Sequence, residues 1–265
     1  FKEDHDGAMA RFIGEADVIF CMDFNQINRL DRVTDTVTAN TTAVRVLIDH
    51  HLHPPVDGYA VQFSDTHACS TSYIVYQLLE ALAGTDAIDQ AMAESLYVGI
   101  MTDTGNFSFS SLTSDLFRAV AVLIDKGVNV PYVNSSVYNN FSEGRMRLLG
   151  YMLNDKMVTD YEFGVAYVSL TEEEMRRFDF IQGDSEGFVN YPLSIRGIRM
   201  SAMFIQTKHS IRVSLRSRGE VDVNVFARRY FDGGGHRNAA GGKSYVPMNE
   251  TLENFRKYLR DYFGA

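Results

Sequence analysis

Three acidic residues close apolar runs, and their company gives them chemical meaning. Asp23 ends Val18-Ile19-Phe20-Cys21-Met22. Asp49 ends Val44-Arg45-Val46-Leu47-Ile48 and leads straight into His50-His51. Asp103 ends Leu96-Tyr97-Val98-Gly99-Ile100-Met101-Thr102 and opens Thr104-Gly105-Asn106-Phe107. The first two runs read as buried strands, and ligands of open α/β sheets gather at the carboxyl ends of strands. Carboxylates and imidazoles converging there suit a Mn2+-type divalent cation, with no thiolate in the set to favour zinc. Such a site activates water against phosphate esters.

Each segment also has a plainer reading. Asp23 alone could start a turn or cap a helix; as a ligand, it has two oxygens to share between two metals. Asp49-His50-His51 is the strongest local signal, because one acid and two imidazoles at a strand end can ligate a metal and still turn a ring to substrate. Thr102 to Phe107 can be a helix C-terminus with Gly105 supplying a left-handed residue, and that role is compatible with a ligand at Asp103.

A second set lies far along the chain. Gly233-Gly234-Gly235-His236 is followed by Ala239-Ala240-Gly241-Gly242, so side chains are stripped away twice in a short span. Bare backbone lets N–H groups approach an anion, and a neighbouring His can donate to phosphate. A flexible turn is the alternative. The surroundings favour an anion: residues 190–245 hold ten Lys or Arg against three Asp or Glu, a local +7 that leaves −16 for the rest of a chain of net charge −9. One part can therefore concentrate cations while the other holds an anionic substrate. Phe188-Val189-Asn190-Tyr191 could stack on a base, although ordinary core is the better reading there.

The elements that must position these residues alternate strand and helix over the first half, which predicts a mostly parallel sheet. Strands are expected at Asp17–Met22, Ala43–Ile48 and Tyr59–Phe63. Helices are expected from a Ser70 or Thr71 cap to Leu82, over Ala87–Met101 with Asp103 just past the end, over Thr113–Lys126, Pro131–Tyr138 and Ser142–Leu153. Beyond Lys156 the pattern changes. Met157–Asp160 with Gly164–Ser169 and Ile198–Gln206 with Ile211–Arg216 read as hairpins, and Thr171-Glu172-Glu173-Glu174 is a capping box. Val223–Phe231 and Asn249–Phe263 read as helices. The expected domains are 1–153 and 154–265, with the Ser142–Leu153 helix as connector.

Composition sets outer limits. The 265 residues suffice for one large or two ordinary domains. The net negative charge disfavours a protein that coats long duplex DNA. No apolar run is long enough to cross a bilayer, and Phe1-Lys2-Glu3-Asp4-His5-Asp6 does not read as a signal peptide. Two cysteines, Cys21 and Cys69, make no disulfide framework and point to a reducing cytoplasm.

In this order and spread, Asp23, Asp49-His50-His51, Thr102-Asp103-Thr104-Gly105 and Gly233-Gly234-Gly235-His236 resemble the DHH/DHHA1 phosphoesterases. The likeness is greatest to the bacterial oligoribonucleases (nanoRNases) that also dephosphorylate pAp, adenosine 3′,5′-bisphosphate, and are sometimes called exopolyphosphatase-related. The resemblance implies an α/β fold of two domains: a mostly parallel, metal-binding DHH sheet with flanking helices and a smaller α/β DHHA1 domain, with the site in the cleft between them. It implies two Mn2+ ions, with Mg2+ as the alternative. Asp23 would bridge both, His50 and Asp103 would hold one, His51 would face the scissile phosphate, and Asp49 would orient the histidines. Arg216, Gly234, Gly235 and His236 would grip the far end of the substrate. It also implies a homodimer.

The family carries an earlier motif, His-x-x-x-Asp-x-Asp, on a first strand. Asp4-His5-Asp6 has the right residue types but stands too close to Asp23, and reads as a loop before a helix. The catalytic domain is therefore expected to be incomplete at its N-terminus, its first strand missing. The reading that follows is a cytoplasmic, metal-dependent phosphoesterase for short RNA or a nucleotide bisphosphate. Its rivals are a polyphosphate, pyrophosphate or cyclic-dinucleotide-product hydrolase on the same site, and a nucleotide-binding module without turnover.

Overall fold

Short runs rich in Val, Ile and Phe favour extended backbone, because β-branched and aromatic side chains fit a pleated surface. In the computed structural model, which describes residue 4 and residues 6–108 and 112–264, such runs build two separate sheets. His5 of the Asp4-His5-Asp6 segment lies outside the described residues. By its contacts the chain forms two units, Phe1–Asn139 and Asn140–Ala265.

The first unit opens with α1 (Ala8–Gly14). The Asp4 carboxylate accepts from the N–H groups of Met9 and Ala10 at 2.9 and 3.1 Å, which holds its pKa below the usual carboxylate value. Asp4 thus serves the start of a helix, as the loop-before-helix reading requires. Three parallel strands follow, β1 (Val18–Met22), β2 (Val44–Asp49) and β3 (Val61–Ser64), in the order β1-β2-β3. The expectation of two buried strands holds for β2 but not for β1. An edge strand has one neighbour, and Val18, Phe20 and Met22 remain exposed while Cys21 is buried. Between β1 and β2 the chain makes a 3-10 turn over Ile27–Val33 and then α2 (Thr34–Ala39), neither of which the apolar periodicity announces.

α3 (Thr71–Ala83) is capped by Ser70, whose hydroxyl accepts from the Tyr73 N–H at 3.1 Å. Its Ile74 packs on Val46 and Ile48 of β2. α4 (Gln90–Asp103) starts later than the expected Ala87, because Asp89 is the cap and accepts from the Met92 N–H at 2.8 Å. Asp103 is its last residue rather than one just beyond. α5 (Ser114–Asp125) and α6 (Val130–Tyr138) complete the unit, with Leu116, Ala119, Leu123 and Val133 joining Tyr97, Ile100 and Met101 in one core.

The second unit begins with α7 (Glu143–Tyr151) and a wide helical turn over Met152–Lys156. Six strands form one mixed sheet in the order β4-β5-β6-β7-β9-β8: β4 (Val158–Asp160), β5 (Val165–Leu170), β6 (Met200–Gln206), β7 (Ile211–Ser217), β8 (Gly234–His236) and β9 (Ala239–Ser244). The β5–β6 pair is parallel and the others antiparallel, so both expected hairpins are present. A capping box opens α8 (Glu172–Arg176), as its sequence predicts. α9 (Val223–Tyr230) and α10 (Met248–Phe263) share a core with Phe204, Val213 and Leu215. Leu148, Leu149 and Met152 pack with Val168, Leu170, Phe188 and Met203. That burial groups the Ser142–Leu153 helix by its contacts with the second unit, which starts at Asn140. Phe188 is likewise core. Among the described residues no helix is long and apolar enough to cross a membrane.

Candidate metal and phosphate site

β1 delivers Asp23 and β2 delivers Asp49 to the same end of the first sheet, because the two strands are parallel and in register, Met22 beside Ile48. Asp23 takes a left-handed backbone, φ 63°, which is uncommon for a residue other than glycine. Its N–H reaches across to the Ile48 carbonyl at 3.1 Å. The turn redirects a carboxylate that is 59% exposed.

Three atoms converge there. Nε2 of His50 lies 3.7 Å from Oδ1 of Asp23 and 3.7 Å from Oδ2 of Asp103. Nδ1 of His50 faces the Ala68 carbonyl at 3.3 Å. A carbonyl only accepts, so that bond puts a proton on Nδ1 and, in the neutral ring, turns the Nε2 lone pair toward two carboxylate oxygens. The separations exceed hydrogen-bond length. They match neighbouring ligands of one ion, which lie roughly 3.0–3.8 Å apart when each is about 2.1 Å from the centre. A ring held by a backbone carbonyl at its other nitrogen is the usual setting of a metal-bound histidine. The donors are therefore of the type and spacing to hold a divalent cation. Burial pushes the Asp103 carboxyl above its ordinary pKa; His50 opposes that shift and Asp23 adds to it.

Asp49 has no exposed surface. Its Oδ1 lies 2.7 Å from Nδ1 of His51, and its Oδ2 accepts from the His51 N–H at 3.1 Å. Burial pushes this carboxyl up, but the bonds and charge of His51 outweigh it and hold the pKa below the usual value. Asp49 thus orients His51, and the His50 ring is held at Nδ1 by the Ala68 carbonyl. Asp23, Asp49 and His51 form a second group of potential ligands within 4.8 Å of one another, as do Asp23, His50 and Asp103.

In the second sheet, the strand register lines up Ala166, Ser201, Arg216, Ala239 and His236 as one cross-strand row. Paired residues share a face, so Ala239, with only a methyl side chain, stands between Arg216 and His236. The next row on that face holds Met203, Ser214, Gly241 and Gly234. The Arg216 guanidinium is half-buried and donates to the Leu215 carbonyl at 2.9 Å. Burial lowers its pKa, and Glu186, the carboxylate that opposes this, makes no ion pair with it within 4.0 Å among the described residues.

Gly234–His236 is a strand, not an open turn. The Gly233 N–H donates to the Ala227 carbonyl at 3.2 Å, and the Gly235 N–H donates to Oδ1 of Asn224 at 3.0 Å. These two N–H groups are engaged within the fold. The glycines allow close approach: a Cβ on Gly233 would stand 1.9 Å from the Gly241 carbonyl oxygen, and one on Gly235, 2.5 Å from that of Ala239. Sequence reasoning missed Asn224, a buried Asn that also accepts from Nε of Arg228 at 3.1 Å. It missed Ser201, which stands beside Arg216 in the row and whose buried hydroxyl has no partner among the described residues. Thr71, which donates to Oδ1 of Asp23 at 3.0 Å, was noticed only as a cap. Ser201 is the one polar residue inside the apolar run of β6, a signal that could have flagged it; nothing local distinguishes Asn224.

The DHH family, N-terminal domain, matches residues 2–100, and the DHHA1 domain matches residues 161–265. The bifunctional oligoribonuclease and PAP phosphatase NrnA of Bacillus subtilis is 30% identical over 249 residues, covering 92% of this chain and 72% of that protein. The cyclic-di-AMP phosphodiesterase GdpP of the same species is 28% identical, covering 82% of this chain but 32% of its own length. A crystal structure of an exopolyphosphatase-related protein from Bacteroides fragilis superposes with a TM-score of 0.93 at 38% identity, covering 99% of this chain and 76% of that one.

Proposed function

The chain belongs to the DHH/DHHA1 family of phosphoesterases, and from that premise we propose that it is a metal-dependent hydrolase of short oligoribonucleotides and of pAp. The observation that carries the reading is the meeting of His50 Nε2 with the Asp23 and Asp103 carboxylates at 3.7 Å. Three electron-pair donors at that spacing repel one another unless a cation or a proton lies among them. Asp23, His50 and Asp103 would hold a divalent cation, and Asp23 has a second oxygen to offer to another.

A bound divalent cation supplies a water of lowered pKa and neutralises charge on phosphate. The chain's own residues do the rest. His51, fixed by Asp49 with a proton at Nδ1, is oriented to meet the phosphate. Arg216 offers a planar guanidinium for a second phosphate group or the sugar-phosphate backbone, and Ala239 beside it has only a methyl side chain. A net negative chain with one basic segment fits a short anion better than a long duplex. Buried, reduced Cys21 and Cys69 fit a cytoplasmic setting.

The test is product release from pAp, a diribonucleotide and polyphosphate by the full-length gene product with Mn2+, beside an EDTA control. Turnover of the first two, lost in EDTA, is expected. Turnover of polyphosphate alone would keep the metal site and replace the substrate. Nucleotide binding without turnover would make the chain a binding module.

A further inference from the structure

We infer that Thr71, the first residue of α3, is a positioning residue that sets the Asp23 carboxylate for metal binding; this rests on the metal-site reading above. Asp23 presents an exposed carboxylate on a left-handed turn. An exposed Asp rotates freely about its last torsion, which is broad and nearly unhindered. A ligand meant to meet two partners at once needs that freedom removed. Oδ1, the oxygen that faces His50, is the one that accepts from the Thr71 hydroxyl at 3.0 Å. A carboxylate is acceptor-only when ionised, so the hydroxyl donates and takes up one lone-pair direction of Oδ1.

Thr71 is suited to hold another residue still. It is buried, at 5% exposure, and β-branching restricts its χ1. Within a helix a Thr hydroxyl often turns back to the carbonyl one turn earlier. At the first helical position no such helical carbonyl precedes it, and the hydroxyl points out of α3 to Asp23. Its neighbours fix the helix start on both sides. Ser70 is the cap. Ser72 lies so close to Gly99 of α4 that a Cβ there would stand 2.0 Å from its Oγ. Ile74 packs on β2. The elements gripped by this first turn are β2, which leads into His50, and α4, which ends on Asp103. Thr71 adds the third ligand, Asp23, to the same frame.

The experiment measures Mn2+ affinity by titration calorimetry for the whole chain, for Thr71→Val and for Thr71→Ser, with kcat and KM alongside. Val keeps the shape and loses the hydroxyl; Ser keeps the hydroxyl and loses the methyl. Removing a support of a metal ligand typically weakens binding about 10–100-fold. That loss is expected in Thr71→Val, with a matching fall in kcat and with affinity restored in Thr71→Ser. Should Val disturb folding, seen as a lowered Tm in EDTA, Thr71→Ala removes the hydroxyl with less bulk and is read in its place. Unaltered affinity and kcat without the hydroxyl overturn the inference, as does a Ser variant no better than Val. Failure of the parent chain to bind Mn2+ would instead overturn the metal-site reading, and this inference with it.

Discussion

Nδ1 of His51 and Oδ1 of Asp49 meet at 2.7 Å around a carboxylate with no exposed surface. Burying an ionised carboxylate is costly unless its partners compensate, and here ring and backbone of one residue both do so. The pair fixes the ring's proton at Nδ1 and its rotation. Asp49→Asn keeps the volume and replaces the acceptor with an amide that satisfies Nδ1–H less well. We expect kcat to fall by about 10–100-fold, the usual cost of losing a group that orients a histidine in a metal site, with KM changed less. Steady-state kinetics checks it, and a wild-type kcat would remove Asp49 from the machinery.

Ligands differ from their supports in what their loss does. His50→Ala or Asp103→Ala should abolish turnover while the circular dichroism spectrum and cooperative melting survive, since Asp103 is 40% exposed and His50 lies at the sheet's end. Calorimetry should show Mn2+ binding lost in both. Near-normal activity in either variant would dismiss the Asp23–His50–Asp103 assignment.

Arg216 is proposed to hold the far end of the substrate. Arg216→Ala should raise KM more than it lowers kcat, because a group gripping substrate away from the chemistry contributes to ground and transition states alike. Replacement by Lys should restore little, since a point charge cannot repeat a planar two-pronged contact. A fall in kcat at constant KM would move Arg216 into the reaction centre.

How much of this was legible before the structure depended on the range of the signal. Asp23, Asp49 and His50 were legible because short apolar runs of strand length end on them, and a parallel register then brings strand ends together. Asp103 was legible as a segment end, although it closes a helix. The Gly233–His236 segment was recognisable as special, but its strand pairing was not, because glycine that permits close strand packing and glycine that bares N–H groups look alike in sequence. Residues that act through one bond across the fold, such as Thr71 on Asp23 or Asn224 on Gly235, carry no periodic signal. Which core Leu148 and Leu149 join has no local signal for a similar reason, since it is decided by tertiary contact.

Glu174 should make the second unit sensitive to acid. Its carboxylate closes the capping box with Thr171 and accepts from Tyr151 and Lys156. Burial opposes ionisation, but these bonds outweigh it and hold the pKa down at about 2, from 4.5. A depressed folded pKa stabilises the fold above the unfolded value and ceases to do so as pH falls through the folded one. The stabilisation, up to about 3 kcal/mol, should be complete near neutrality, begin to fade below pH 4.5 and be roughly halved by pH 3. Urea denaturation of wild type and Glu174→Gln should show their gap narrowing over that range. A gap independent of pH would mean the bonds act through shape rather than charge.

Gly99 offers a test of how the helices carry the site. It faces Ser72, and a Cβ there would lie 2.0 Å from the Ser72 Oγ and 2.8 Å from its Cβ. The hydroxyl can rotate away, but the Cβ belongs to the first turn of α3 and can clear the contact only if the helices part. Gly99→Ala should therefore destabilise the chain by about 1–3 kcal/mol, the range for overfilling a packed contact, although Ala is the better helix former. Ser72→Gly should relieve the clash, so that the double variant is more stable than the sum of the two single changes. Asp103 stands one helical turn after Gly99 on α4. Parting the helices should thus also move a metal ligand, and Mn2+ affinity should fall in Gly99→Ala and recover in the double variant. Loss of stability without loss of affinity would show that the end of α4 holds its place independently of this contact.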